Sequence, residues 1–509
     1  MNKYLFSLVL VTLNIINIYA QNSSDVLRFS MARTNSTARF EGAGSSFGAV
    51  GADQSSIGIN PAGLGLFRKS DLSISLYRKS LEGEYLINPS GPIVISDNKL
   101  VALSNLGLVI SQKPTRYSNW SNVNYYIGYN NSANFDQNIS FNGKSKGSIL
   151  HRFLENAIDP RYADGRGLHP DELDAFESGL AYETGALFDV SNDSTIYTYT
   201  NDLLEFRDSM ISKNGEFVTD GFLGNLSFGL AGNYKEKFIF GGSLEIPLGS
   251  LEYNKNYNEI DPNNTLRPFK NLNFNDRVNS EISGLKVVLG MIYKPINNLR
   301  LGLSWHSPMW LSMIDNYNTS LSYSYYDSKG ILDSNTSNSP DGVYNYSVST
   351  PSKWIGSIAY VSKIGFINVD VDYFNPGNAR FHFEEPSEQL YEKELNNDID
   401  KQYKSVLQTR IGLEVPFDKF RFRGGFGFLS SPYENESEIF KTYSAGFGYR
   451  RKHFFIDLSG RFYSYKEAYI PFRTGNSDFN NDRIPDAVES LVLSTLNLNQ
   501  YTLTLGFKF

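Results

Sequence analysis

Residues 500–509 alternate without a break, with Tyr501, Leu503, Leu505, Phe507 and Phe509 on one side and Gln500, Thr502, Thr504, Gly506 and Lys508 on the other. On a strand, a period of two sets one face against an oily medium and the other against a wet one. The sequence closes on that terminal aromatic. At the opposite end, Lys3 supplies a positive n-region, residues 4–16 a mostly apolar h-region, and Ile18-Tyr19-Ala20 a small-residue cleavage site. The apolar run is short for a bilayer span and is interrupted by Asn14 and Asn17. A secretory signal over residues 1–20, with the mature start near Gln21, is therefore expected. No further stretch of about 18 apolar residues occurs, so a membrane would have to be crossed by strands. The two ends together describe a bacterial outer-membrane β-barrel.

Composition supports this and excludes much else. Tyr (33), Phe (36) and Gly (42) are abundant while mean hydropathy is slightly negative, as expected when lipid-facing aromatics alternate with polar lumen residues. Cys is absent, which removes disulfides, thiol catalysis and cysteine metal sites. A net charge of −7 gives no basic footprint for nucleic acid, and five histidines argue against a histidine-rich metal centre.

Short connections with turn chemistry alternate with long polar ones. Lys113-Pro114, Tyr234-Lys235-Glu236, residues 294–298, Pro416-Phe417-Asp418 and Arg450-Arg451-Lys452 mark the short ones. Tight periplasmic turns and long extracellular loops have this asymmetry. The pattern predicts about fourteen strands: 71–84, 100–112, 123–141, 223–234, 237–257, 281–293, 299–326, 343–361, 365–374, 403–415, 419–429, 438–449, 453–465 and 496–509. Pro351 inside the eighth should kink it or remove a ladder bond. Charges fall opposite the apolar series, which places Arg410, Glu414, Arg421, Arg423, Asp457, Arg461 and Lys508 in the lumen as a salt-bridge lattice. The fold class is thus all-β: a transmembrane antiparallel barrel over residues 70–509 with an N-terminal plug and a partly helical extracellular loop.

Residues 21–69 show no strand alternation. They contain a stretch rich in small residues, with Gly42, Gly44, Gly48 and Gly51, followed by Asn60-Pro61-Ala62-Gly63-Leu64. Small residues let a backbone fold tightly against other surfaces. A wide barrel with polar walls leaks unless plugged, so this segment reads as a hatch or, alternatively, a flexible periplasmic tail.

The Asn60-Pro61-Ala62-Gly63-Leu64 run after a Gly-rich stretch and before a first strand resembles the FadL/TodX family of outer-membrane transporters for long-chain fatty acids and other hydrophobic compounds. Thr350-Pro351-Ser352-Lys353-Trp354 is similar to a Pro-x-x-Trp feature of that family, and the strand rhythm onward to Phe509 is similar too. The Asn-rich composition resembles Bacteroidetes members, some loosely labelled hemin receptors. The resemblance implies a fourteen-stranded barrel closed by a hatch, with substrate caught on an apolar extracellular surface. Release would follow hatch movement and a wall opening near a kinked third strand. None of the family's internal acyl-carboxylate contacts can be matched residue by residue.

The connection over residues 142–221 carries two helical stripes. Leu150, Phe153, Leu154 and Ile158 form part of the first; a second helix expected from Pro170 onward carries Phe176 and Leu180. These stripes could pack on each other as a lid, or form a greasy capture groove for a long hydrocarbon. In the last extracellular loop, residues 468–495, Asp478, Asn480, Asp482, Asp486 and Glu489 stand at positions 1, 3, 5, 9 and 12, with the Ile484 carbonyl at 7. That spacing wraps Ca²⁺ and looks like a thrombospondin type 3 loop, although Arg483 replaces the turn glycine. A structural Ca²⁺ site or a merely acidic loop are both compatible with it; no cofactor is required.

Enzymatic motifs fail on context. Gly44-Ser45-Ser46-Phe47-Gly48 matches G-x-S-x-G but lies in the plug, with no histidine nearby, and Ser304 with His306 has nothing else assembled around it. The expected function is passive transport of hydrophobic small molecules, most of all long-chain fatty acids. The expected partners are that ligand, outer-membrane lipid and, through the C-terminal strand, the barrel-assembly machinery. The rival is a non-transporting partner barrel in protein secretion or surface assembly, whose interior can be filled solid. A general porin would instead hold an open polar channel.

Overall fold

Antiparallel pairing of the first strand with the last, from Asp71 opposite Lys508 to Leu86 opposite Leu493, closes a barrel of 14 strands in the computed structural model. The structure describes residues 23–32, 35–87, 91–115, 117–159, 161, 166–189, 198–202, 209–474 and 489–509. The expected signal, residues 1–20, lies outside them. The wall begins with β1 (Asp71–Leu86), β2 (Val94–Gln112) and β3, which runs in two segments, Trp120–Asn134 and Gln137–Ser145. It continues through β4 (Ile211–Tyr234), β5 (Phe238–Ile260), β6 (Phe269–Tyr293) and β7 (Leu299–His306 and Trp310–Tyr326). Next come β8 (Leu332–Asn338, Gly342–Ser349 and Lys353–Ser362) and β9 (Gly365–Phe374 and Arg380–Phe383). β10 (Val406–Phe417), β11 (Phe420–Ser430), β12 (Ile439–Arg450), β13 (Phe454–Tyr469) and β14 (Val492–Lys508) complete it.

The wall is inverted relative to a water-soluble sheet. On β14, Leu503 and Tyr501 are 42% and 48% exposed, whereas Thr502 and Thr504 are at 1% and 0%. Leu72, Ile74 and Leu76 of β1 continue the exposed belt. Such a surface is stable only in lipid. β7, β8 and β9 break at one height, at residues 307–309, 350–352 and 375–379, each around a proline that cannot donate to the ladder. Pro351 is one of the three, as expected. Met309 and Thr350 bridge part of the gap, with Thr350 N donating to Met309 O (3.0 Å) and Met309 N to Thr350 Oγ1 (2.9 Å).

Two expected boundaries move. β3 and β4 pair up to Ser145 and Ile211, so the helical connection is residues 146–210 and the strands stand taller above the belt. It carries α4 and α5 of the six α-helices among the described residues: α1 (Ser23–Ser30), α2 (Ala38–Gly42), α3 (Ser56–Ile59), α4 (Ile149–Asn156), α5 (Ser178–Thr184) and α6 (Gln389–Gln402). α5 starts later than Pro170 because the Asp174 carboxylate accepts the N–H groups of Phe176 (3.0 Å), Glu177 (2.6 Å) and Ser178 (2.8 Å). Pro170–Glu172 is a single 3₁₀ turn before it.

Candidate functional site: hatch, lumen helix and a broken wall strand

The hatch occupies the periplasmic end of the lumen, built on α2, α3 and a 3₁₀ turn, Pro61–Leu66. Thr37 caps α2, accepting from Phe40 N, and its hydroxyl donates to Asp53 (2.7 Å). Asn60 is the other organiser. Its Oδ1 accepts from Ala62 N (3.2 Å), while Nδ2 donates to Gly48 O (2.7 Å) and across to Met291 O of β6 (3.2 Å). Ala52 N donates to Gly63 O, joining the Gly51 and Gly63 turns. Gly42, Gly48, Gly51, Asn60, Pro61, Ala62 and Gly63 are buried, and Gly44 half-buried. Hatch and wall meet glycine to glycine: a Cβ at Gly425 would overlap the Gly44 amide, one at Gly412 the Ala43 carbonyl, and Gly446 faces Gly42.

The lumen charges form the expected lattice, anchored on the hatch. Arg39 on α2 is bidentate to Glu414 (3.0 and 3.2 Å), Glu414 also accepts from Arg423 (2.7 Å), and Arg423 reaches Asp457 (2.8 Å), which pairs with Arg450 (3.1 Å). Glu41 holds Arg461 (2.9 Å); Arg410 holds Asp372 (2.6 Å) beside Asp370, whose carboxylate accepts Phe47 N and Gly48 N. One of the expected residues sits at the rim instead, Arg421, which donates to Asp418 O and Phe420 O, while Lys508, on the inward face of β14, lies 3.8 Å from buried Asp71. Below the hatch, Arg68 clasps Glu236 in the β4–β5 turn, both oxygens at 2.6 Å. Burial alone would raise the Glu236 carboxyl, but the Arg68 guanidinium, with Ser121 and Lys294, holds it down to about 2.

Above the hatch, α1 lies inside the barrel and does not join the plug. Val26 and Phe29 are packed among Leu223, Leu251, Ile282, Leu311, Met313 and Val348 of the wall, with α6 closing the far side through Leu395 and Ile399. Phe29 meets Phe135 edge-on, ring centres 6.0 Å apart. Phe135 and Asp136 are where β3 leaves its ladder. β2 pairs β3 only from Asn105–Gln112 to Val123–Asn130; above Asn130 the two strands share no ladder, and the upper segment of β3 lies against β1 and β2 unbonded to either. Gly221 of β4, at φ +124, accepts a hydrogen bond from Phe135 N at its carbonyl (2.9 Å) and lets the wall bend there. An outer groove of about 350 Å³ at this seam is lined by Leu100, Leu103, Tyr129 and Phe222, with Asp136 and Asp220 at its edge.

Side chains and the hatch leader bridge the seam. Asn35 N donates to Asn131 O (2.8 Å), Ser104 Oγ to Ser36 O (2.6 Å), and Lys79 Nζ reaches Asn134 Oδ1 (3.2 Å) and the Asp136 carbonyl (3.5 Å). The residues following α1 thus touch both unpaired strands.

The loop-helix residues form a lid. Leu150, Phe153, Leu154 and Leu180 are fully buried on inward aromatics, with Phe153 edge-on to Phe274 (5.4 Å). Phe176 packs at a tilt against Tyr317 (ring centres 4.8 Å apart), and Ile158 is half-buried in a bridge with Gly167. Arg152 on α4 binds Glu177 bidentately, and Glu259 accepts from Ser148 Oγ (2.5 Å) and Ile149 N (2.9 Å), tying the lid to β5. The described residues present these stripes packed together and not as an open groove.

Asp478, Asn480, Asp482, Ile484 and Asp486 lie outside the described residues. Glu489, at the loop's end, accepts from Thr474 N (2.9 Å). The serine of the G-x-S-x-G match, Ser46, is spent on the carbonyls of Asn368 and Arg410, and Ser304 and His306 both contact the Ile59 carbonyl (2.7 and 2.9 Å). Each is a hatch tie. α6 and α1 escaped the sequence reading, although Tyr391, Leu395, Ile399 and Tyr403, four residues apart, carry a legible stripe.

Belt, closure and internal plug define a hatch-closed β-barrel of the Gram-negative outer membrane. Among solved structures the chain is similar to a Pseudomonas aeruginosa FadL homologue, with TM-score 0.53 and 13% identity over 94% of this chain and 99% of that one. It is also similar to the Pseudomonas putida toluene transporter TodX (0.49, 11%, 93% and 99%) and the Ralstonia pickettii toluene transporter TbuX (0.48, 12%, 94% and 100%). No protein-family model matches the sequence, and no curated protein does. The fold is that of the FadL-type barrels, in agreement with the resemblance seen in Asn60-Pro61-Ala62-Gly63-Leu64.

Proposed function

We propose that the protein passes hydrophobic small molecules, long-chain fatty acids foremost, across the outer membrane by passive diffusion, releasing them sideways at the β2–β3 seam. The observation carrying this is the apolar compartment around Val26 and Phe29, which lies directly above the hatch and against Phe135 at the break. A hydrocarbon displacing α1 would gain roughly 0.8 kcal/mol per buried methylene. Because Asn35 and Ser36 follow α1 closely, its departure pulls the hatch leader off Asn131 and Ser104 and frees the seam. Capture at the lid then requires α4 and α5 to part from the wall.

The test is uptake of radiolabelled oleate by a fatty-acid-transport-deficient strain expressing the protein, with and without residues 21–69. Saturable uptake altered by the deletion supports the reading. Correct insertion with uptake no higher than the empty strain removes fatty acids as substrate. A second reading, a partner barrel for secretion or surface assembly, draws on the fact that the described compartment is filled by the chain's own α1. Co-purified proteins lost on lid substitution, with no uptake, would favour it. The Ca²⁺ loop and recognition of β14 by the assembly machinery remain proposals alongside. The first predicts a thermal shift in millimolar Ca²⁺ that Glu489→Gln removes; the second, that deleting Phe509 lowers insertion.

A further inference from the structure

Above the lipid belt, the outward faces of β4 to β7 change character. Two cross-strand rows run side by side: Glu216, Asn256, Asn275 and Ser320, then Val218, Asn254, Arg277 and Asn318. They line a shallow groove of about 310 Å³. A third row, Asn214, Asn258 and Asn273, borders it. Asparagine is a poor strand residue, and so many on one face is a local conflict with the fold that solubility does not require. The neighbouring outward strip at the same height shows this, using Ser322, Ser324, Ser334 and Thr336 paired through their hydroxyls.

The amides are held in a fixed array. Asn256 Nδ2 donates to Asn275 Oδ1 (2.8 Å), Asn275 to Asn273 (2.7 Å), Asn273 to Asn258 (2.7 Å) and Asn258 to Asn256 (2.7 Å). An amide carries two donors and two acceptor lone pairs. Asn258 also donates to Asn214 (3.0 Å), Asn273 to Asn256 (3.3 Å) and Asn275 to Ser320 (3.3 Å). That leaves one donor on Asn256 and one acceptor lone pair on each of Asn258, Asn273 and Asn275. The one flanking cation among the described groove residues on this face, Arg277, is paired with Glu252 (2.9 Å), and the Glu216 carboxylate accepts from the Asn138 amide (3.0 Å). A surface that offers several fixed acceptor oxygens and a donor, without spare positive charge, suits hydroxyl groups and not phosphate.

Position names the occupant. The patch is continuous with the lipid-facing surface: Leu244 and Leu248 on β5 are exposed belt residues, and Asn254 and Asn256 follow on the same face. Six to eight residues beyond Leu248 is roughly 20–26 Å along the strand, past the acyl region. We propose that this asparagine face binds the neutral saccharide chain of outer-leaflet lipopolysaccharide, seating the barrel in its glycolipid shell. The site is independent of the transport reading.

The test uses the full chain in detergent micelles, with delipidated lipopolysaccharide polysaccharide as probe and saturation-transfer NMR as readout. Asn254→Ser, Asn256→Ser, Asn273→Ser and Asn275→Ser are combined, copying the chemistry of the neighbouring strip. Ser334→Ala with Thr336→Ala is the control, and heat-modifiable gel mobility confirms that both variants are closed barrels. The wild type and control should bind the polysaccharide, and the asparagine variant should lose roughly tenfold in affinity because several weak contacts act together. Absence of polysaccharide binding by the wild type, equal binding by the asparagine variant, or binding of lipid A alone that the variant abolishes would each overturn the proposal. Should the variant fail to close, Asn256→Ser with Asn275→Ser alone is read by the same criteria.

Discussion

The floor of this barrel and its seam are held by opposite means. At the floor, hatch backbone touches wall backbone at Gly42, Gly44 and Ala43, and the buried ion-pair lattice that starts from Arg39 and Glu41 reaches β10, β11 and β13. At the seam, two strands with no shared ladder are spanned by Asn35, Ser104 and Lys79. A contact made of backbone has little room to adjust, whereas a few side-chain hydrogen bonds can be exchanged for water. The difference teaches that the leader is tied to the wall by few, exchangeable bonds, while the floor is fixed by backbone contact and buried charge.

Substitutions on both sides can break that contrast. The largest effect belongs to Glu414→Ala, which takes the bidentate partner from buried Arg39, leaving it Asp53 at 3.7 Å, and one of the two carboxylates from buried Arg423, leaving it Asp457. A loss of about 3–5 kcal/mol in urea unfolding from liposomes is expected, and a loss below 1 would mean the lattice does not fix the floor. Gly425→Val forces a side chain into the Gly44 amide. About 1–3 kcal/mol of overpacking is expected, read as faster sugar permeation in liposome swelling because the hatch cannot seat. Lys79→Met sharpens the other side. Losing the ammonium's bonds should cost about 1–2 kcal/mol locally, seen as faster hydrogen exchange at Ser132, Ala133 and Asn134 with exchange in the hatch unchanged. Equal acceleration at both places would erase the distinction.

The smallest effect is electrostatic. The Glu236 carboxyl is held near 2, below its usual value, so the clasp with Arg68 contributes fully above pH 4.5 and is lost as pH falls toward 2. Being half exposed, it is worth no more than about 1 kcal/mol. Arg68→Gln should therefore narrow the stability gap with wild type as a titration moves from pH 5 to pH 2.

Much of this was legible in the residues. Strict alternation at Tyr501–Phe509 wrote out β14, because only a strand between lipid and water obeys a period of two so strictly, and Arg410, Glu414, Arg423, Asp457 and Arg461 could be placed inside by the cost of charge in lipid. The hatch was visible in its small residues. What escaped depends on long-range partners. The stripe of α6 is diluted by charge, α5 begins where Asp174 captures three amides, and the bend in β4 beside the seam depends on Gly221 and its partner Phe135 on another strand. Phe29 gives no local sign that its partner is Phe135, over a hundred positions away.

The aligned proline breaks in β7, β8 and β9 have a mechanical consequence. On that side no ladder runs unbroken from the outer rim to the floor. Across the crease the wall is joined by single bonds such as those between Met309 and Thr350, so a strain applied at that side of the rim has no continuous ladder by which to reach the hatch.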